Sequence, residues 1–294
     1  MSDAVPRSRV GSDEGGRRRD LERPPAPEPL SVEVVDNHTH LDIADSDDDT
    51  SVEDLLAASA AAGVPRAVQI GCDLPAARWT VEAVDRHPQL LGGVALHPNE
   101  APSLAAAGEL DAALDEIREL ARHPRVRVVG ETGLDYFRTP PEGVATQQES
   151  FRRHIAIAKE LGLALQIHDR DAHDDVLRIL AEEGAPERTV FHCFSGDAAM
   201  ARTCADAGYF LSFAGTVTFK NAEPLREALR AAPRDRILVE TDAPFLTPTP
   251  FRGRPNASYL VPITVRSMAN TLGCDLDELC GALAANTEAV YGTW

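Results

Sequence analysis

No apolar run in these 294 residues approaches the roughly 20 residues that a membrane span requires. The first 30 residues lack the apolar stretch of a secretory signal. The five cysteines (72, 193, 204, 274 and 280) are odd in number and show no paired spacing, so neither a disulfide framework nor a zinc ribbon is indicated. A reducing cytoplasm is therefore the expected compartment. Cationic residues are also short: 29 Lys and Arg against 47 Asp and Glu leave a net charge of −18. This balance argues against a broad basic nucleic-acid surface. It does not exclude a phosphate substrate, because bound divalent ions dominate the field inside an acidic pocket.

With 43% hydrophobic residues, the chain can fill a large core. Residues 1–30 are rich in Pro, Gly, Arg and Glu, carry six arginines and six acids, and read as a disordered tail. From residue 31 to 294 a regular alternation sets in, with no repeat or linker to divide it. Eight short apolar runs stand out: VEVV (32–35), RAVQI (66–70), LGGVAL (91–96), VRVVG (126–130), LALQI (163–167), RTVF (188–191), GYFLSF (208–213) and RILVE (236–240). Between them lie amphipathic stretches such as VEDLLAASAAAG and QQESFRRHIAIAKELG. Near-continuous apolar strands alternating with helices imply parallel strands covered by helices. Eight such units in one domain predict a (β/α)8 TIM barrel. An open doubly wound sheet is the alternative, but no G-x-G-x-x-G follows the first run.

Polar residues with metal-ligating chemistry follow these runs. His38 and His40 occur in DNHTHLD, His97 in ALHPNEA, Glu131 in GETGLDYFR, His168 in QIHDRDAHDD, His192 in FHCFSG and Asp242 in VETDAPFL. Residues i and i+2 of an extended chain point to one side, so His38 and His40 converge. In a barrel all eight strands open onto one face at their C-terminal ends, where these seven side chains would meet. The other four histidines form a contrast. His87 and His123 precede proline in loops leading into strands, toward the opposite face, and His154 and His173 lie in helical stretches.

Taken together, DNHTHLD, GETGLDYFR, QIHDRDAHDD, FHCFSG and VETDAPFL resemble the signature segments of the TatD-type metal-dependent deoxyribonucleases, in order, from residue 34 to the C-terminus. The resemblance implies an amidohydrolase-type barrel with two divalent metal ions (Mg, Mn or Zn). By position, His38, His40 and Asp242 would hold one ion and His168 and His192 the other, with Glu131 bridging. It implies cleavage of phosphodiester bonds in DNA by a water that two metals activate, with Asp242 accepting or orienting its proton. A 3′-to-5′ exonuclease on single-stranded or frayed DNA is the expected form, acting as a monomer without an obligate protein partner. For substrate contacts, His97 could reach the phosphate, Arg170 could fork onto a non-bridging oxygen, and the Ser195–Gly196 turn could offer backbone donors. Tyr136 and Arg138 could flank the site, and Phe245 and Phe251 could stack a base or simply fill the core. RGRPNASYL departs from the family pattern, with Ser258 where proline usually stands. Since a barrel does not settle a substrate, ester cleavage on a mischarged aminoacyl-tRNA, or of a small phosphoester or lactone, is the alternative. A non-catalytic metal-bound protein is the third.

Overall fold

The computed structural model describes residues 7–9, 20–45 and 50–294. Eight parallel strands succeed one another around a sheet: β1 (Val35–Thr39), β2 (Arg66–Gly71), β3 (Leu90–Val94), β4 (Val126–Asp135), β5 (Ala164–Arg170), β6 (Thr189–Phe191), β7 (Phe210–Phe213) and β8 (Ile237–Val239). Their spatial order is their sequence order, which an open doubly wound sheet does not have. β1 and β8 are joined by side chain and loop rather than by a ladder. Asn37 Nδ2 donates to the Val239 carbonyl at 2.8 Å, Asp242 N–H to His38 O at 2.9 Å, and His40 N–H to Ala243 O at 2.8 Å. Buried Asp36 accepts from the Thr241 hydroxyl at 2.5 Å and from Thr241 N–H at 2.9 Å. These contacts bring the end of β8 beside the start of the sheet and nearly close the barrel.

Among the described residues ten helices cover the sheet, and their ends follow local chemistry. Ser51, Asp73, Asp197 and Asp275 each accept backbone N–H bonds at an N-cap, and Gly162 ends the longest of the covering helices, Val144–Leu161, at φ 64°. That helix buries Gln147, Ser150, Phe151, His154, Ile155 and Ala158, one stripe at helical spacing. Phe151 is fully buried, so its truncation to alanine would cost about 3–5 kcal/mol. Inside the barrel, Val68, Ile70, Leu91, Val128, Ala164, Val190 and Leu238 pack with Val290 and Tyr291 of the C-terminal helix, Leu276–Tyr291. Tyr291 closes the interior from below and accepts a hydrogen bond from Gln166 Nε2 at 3.0 Å. Among the described residues no helix is long and apolar enough to cross a membrane.

Three strands outrun the apolar segments that signalled them. β1 spans Val35–Thr39 rather than 32–35, β4 runs to Asp135 and β5 to Arg170. A parallel ladder is made of backbone bonds, so it continues through polar residues wherever their side chains find a polar interior. Residues 1–6 and 10–19 of the expected tail lie outside the described residues. The remainder of it is packed, unlike a free tail. Arg7–Arg9 pairs in parallel with Ile43–Asp45, the Arg7 guanidinium reaches Asp42 at 2.6 Å, and Leu30 is buried. Buried Tyr259 donates its hydroxyl to the Pro24 carbonyl at 2.7 Å.

Candidate metal centre

Two bulges aim the central side chains. In the β1–β2 ladder Asp36 pairs with Ala67 and Thr39 with Gln69, so three steps on β1 match two on β2 around Asn37 and His38. In the β4–β5 ladder Val129 pairs with Leu165 and Thr132 with Ile167, which places the extra residue at Gly130–Glu131. A bulge bends its strand and re-aims a side chain. Here it turns Glu131 into the mouth of the barrel, where the residue is 4% exposed. Gly133, at φ 137°, then brings β4 so close to β5 that a Cβ would lie 2.1 Å from the His168 carbonyl oxygen.

Glu131 lies at the centre. Its Oε2 is 3.4 Å from His38 Nε2 and 3.7 Å from His40 Nε2. Its Oε1 is 2.8 Å from His168 Nδ1, 3.0 Å from His192 Nε2 and 3.4 Å from His97 Nε2. Asp242 faces the first pair only, with Oδ1 3.6 Å from His38 Nε2 and 3.4 Å from His40 Nε2. The structure thus brings six candidate ligands and His97 together, with one carboxylate oxygen turned to each half. Asp242 (φ 54°) and Cys193 (φ 42°), which follows His192, both adopt left-handed backbone, a conformation sustained at such sites by its surroundings.

Hydrogen bonds on the far side of the His38, His40 and His192 rings orient them. Gln166 Nε2 donates to Asn37 O and Tyr291 Oη, so its Oε1 faces His38 and must accept the Nδ1 proton at 2.8 Å. His40 Nδ1 donates to the Ile70 carbonyl at 2.9 Å. The two Nε2 atoms then face each other 3.1 Å apart, a contact that needs a proton or a metal ion between them. His192 Nδ1 lies 3.3 Å from buried Glu240 Oε1, which also accepts Cys193 N–H at 2.7 Å. His168 Nε2 lies 3.4 Å from Asp135 Oδ2. Their other nitrogens, His168 Nδ1 and His192 Nε2, hydrogen-bond Glu131 Oε1 at 2.8 and 3.0 Å, the positions from which a metal ion would displace the proton. Carbonyl or carboxylate partners behind an imidazole are the usual support of a metal-binding histidine. The donor set of imidazoles and carboxylates fits a divalent ion.

The electrostatics agree. Burial lowers the His40 pKa, but the hydrogen bond to Asp242 and the charges of Asp242 and Glu131 outweigh it and raise it to about 9. His192 is likewise raised well above its usual range against its burial, by Glu131 and Glu240. Burial would raise Glu131, yet the surrounding histidines hold it well below the usual carboxylate range. The pocket is therefore a buried field that attracts cations.

His97 differs from the other four. Its Nδ1 accepts Asn99 N–H at 3.1 Å, so its proton sits on Nε2 and points at Glu131. Burial and neighbouring His168 lower its pKa, which keeps it neutral. It is a hydrogen-bond donor to the centre rather than a lone-pair ligand. Of the remaining expected contacts, the Arg170 side chain stacks on Phe137 instead of pairing with Asp169, which is taken by His173 at 2.7 Å. The Ser195 hydroxyl donates to the Asp169 carbonyl at 3.1 Å, and the Tyr136 hydroxyl donates to Asp175 at 2.7 Å. Phe245 lies edge-on to His40 at 6.2 Å and carries Arg9 on its ring, while Phe251 carries Arg254. Ser258 is buried and helps to hold down the pKa of Asp36, which burial raises.

Sequence reasoning missed four polar partners: Asp135, Gln166, Glu240 and Cys72, whose thiol donates to Glu131 Oε2 at 3.2 Å. Asp135 and Glu240 stand inside the segments GETGLD and VETD, and Gln166 ends the apolar LALQ two residues before His168. That parity was the available signal. Cys72 had none.

The sequence profile of the TatD-related DNases matches residues 35–292. An uncharacterised metal-dependent hydrolase of Mycobacterium tuberculosis, TatD, is 45% identical over 263 residues, covering 88% of this chain and 98% of that protein. Its counterpart YabD of Bacillus subtilis is 37% identical over 260 residues, covering 88% and 98%. Among solved structures, the TatD homologue YjjV of Escherichia coli superposes with a TM-score of 0.81 at 25% identity, covering 89% of this chain and 98% of that one. A TatD-family hydrolase of Entamoeba histolytica shares the fold with a TM-score of 0.77 at 18% identity, covering 90% and 100%.

Proposed function

The chain belongs to the TatD-related DNase family of metal-dependent hydrolases, and on that premise we propose that it hydrolyses phosphodiester bonds in DNA at a centre for two divalent ions. The observation that carries the reading is Glu131, whose two oxygens face two separate sets of imidazoles. His38, His40 and Asp242 would hold one ion, and His168 and His192 the other. Bound there, Mg, Mn or Zn supplies charge to clamp a phosphate and lowers the pKa of an attacking water.

The chain's own residues account for the rest. Glu131 neutralises both halves and keeps them together. Asp242 touches only the first half and has 15% of its side chain exposed, which leaves it open to take the proton of the attacking water. His97, neutral with its proton on Nε2, donates a hydrogen bond to a non-bridging phosphate oxygen. Gln166, Glu240 and the Ile70 carbonyl orient the imidazoles of His38, His192 and His40, and Asp135 lies 3.4 Å behind His168.

A 3′-to-5′ exonuclease on single strands or frayed ends is the specific form proposed. The burial of His38, His40, Glu131 and His192 and the excess of acidic over basic residues favour a chain end over a duplex interior. The test is incubation of purified protein with end-labelled single-stranded and duplex DNA under Mg, Mn, Zn and chelator, beside a mischarged-tRNA control. Metal-dependent shortening of the single strand from its 3′ end is expected. Deacylation of the tRNA with intact DNA would overturn the reading in favour of another ester.

A further inference from the structure

Phe137 is the large hydrophobic side chain that stands exposed among the described residues, with 60% of its surface open. It sits at the mouth, two residues beyond Asp135, the partner of His168. One face of its ring carries the Arg170 guanidinium, whose central carbon is 3.8 Å from the ring centroid. The sheet itself holds the pair: Asp135 and Arg170 are ladder partners, and Tyr136 N–H donates to the Arg170 carbonyl at 2.9 Å. Among the described residues no carboxylate takes the Arg170 guanidinium, whose charge is left to the solvent and the ring.

We propose that Phe137 and Arg170 form a platform on which a base of single-stranded nucleic acid stacks while its phosphate lies among the histidines. The inference rests on the reading of the centre as a deoxyribonuclease. An open aromatic face at a polar mouth is poorly suited to water and well suited to a base, and every base has a π-face. The guanidinium, held flat by the ring, offers its fork to a phosphate oxygen. Arg170 lies two residues beyond His168 on β5, about 7 Å along the strand, a step that one nucleotide bridges. A base within a duplex has both faces covered by its stacked neighbours, so the platform favours single strands and frayed ends.

The test uses the metal-loaded enzyme and its F137A and F137W variants. Because Phe137 is exposed, truncation leaves the core untouched. The substrates are a single strand with 2-aminopurine at the terminal base and the same strand with an abasic terminal residue. Truncation is expected to raise KM on the intact strand between about fivefold and a hundredfold, while F137W holds or lowers it. On the abasic strand the difference between wild type and F137A should shrink toward one. The 2-aminopurine emission should be quenched by wild type and F137W and stay bright with F137A. Cleavage by wild type, with F137A matching its KM and its quench, overturns the platform alone. Quenching without cleavage overturns the deoxyribonuclease reading and leaves the platform standing. Neither quenching nor cleavage overturns both.

Discussion

His40 and His123 are the same residue at opposite ends of one barrel, and their surroundings decide their chemistry. His40 is buried, with Asp242 at 3.4 Å, Glu131 at 3.7 Å and a second imidazole at 3.1 Å. His123 is partly exposed beside Asp85 at 3.1 Å, a carboxylate that is itself 62% exposed, and His87 likewise faces exposed Glu53 at 3.5 Å. Water screens the lower pairs, and such contacts are worth little. In the mouth, carboxylates and imidazoles are buried together, and buried charge requires a compensating partner. The difference teaches that histidine content says little until burial and shared carboxylates are known.

The strongest way to break this comparison is to remove the shared anions. Glu131→Ala and Asp242→Asn are each expected to lower hydrolysis on the order of a hundredfold or more, with circular dichroism unchanged. Glu131→Ala should also lose bound metal on elemental analysis. Full activity in Asp242→Asn would move the proton acceptor elsewhere.

Metal content sharpens the same contrast. The wild-type chain should titrate to two divalent ions, and saturation at one with activity intact would sink the two-ion account. Because the ions bind the folded chain, thermal stability should rise with their concentration, by about 2.7 kcal/mol at a hundredfold excess over Kd, and fall on chelation.

His154 offers an intermediate effect at a buried position outside the centre. Its Nε2 accepts Leu96 N–H at 3.1 Å, next to His97, and its Nδ1 donates to the Ser150 carbonyl at 2.7 Å. Burial lowers its pKa from 6.5 to about 4. Folding therefore favours the neutral ring, and its contribution is complete above pH 6.5 and is lost as pH falls toward 4. At roughly 1.4 kcal/mol per pKa unit this amounts to about 3 kcal/mol. Urea unfolding between pH 7.5 and 4.5 should show the slope, and His154→Gln should flatten it. An unchanged slope in that variant would place the titrating group elsewhere.

The smallest effects belong to the lower end. His87→Ala and His123→Ala should leave hydrolysis near wild type and stability within about 1 kcal/mol. Should His123→Ala prove as inactive as Asp242→Asn, the site has been put at the wrong end of the barrel.

Much of this layout was legible in the chain. Runs such as RAVQI and VRVVG mark strands because a parallel sheet buried on both faces needs continuous apolar segments. His38, Glu131, His168 and Asp242 stand just where those runs give way to polar residues, at the end where barrel strands converge. Arg170 could not be placed so well: the sequence offered it to a phosphate oxygen, and only the fold shows its guanidinium over Phe137, in the turn after β4. The contacts of the described part of residues 1–30 were illegible for a similar reason. Composition predicts the absence of a core, whereas Arg7–Arg9 is held by an edge strand and by Asp42, contacts that are 35 residues apart in the chain.

The sequence by itself determined the barrel and which residues reach its mouth, because apolar periodicity and strand order are local properties that topology turns into convergence. The tertiary structure alone decided how they face one another. The bulges at Asn37–His38 and Gly130–Glu131 arise from register between strands, and the tautomers of His38, His40 and His192 are set by Gln166, Ile70 and Glu240, each at least 30 residues away. Register and proton position depend on what lies across the ladder, and no single stretch of chain contains that information.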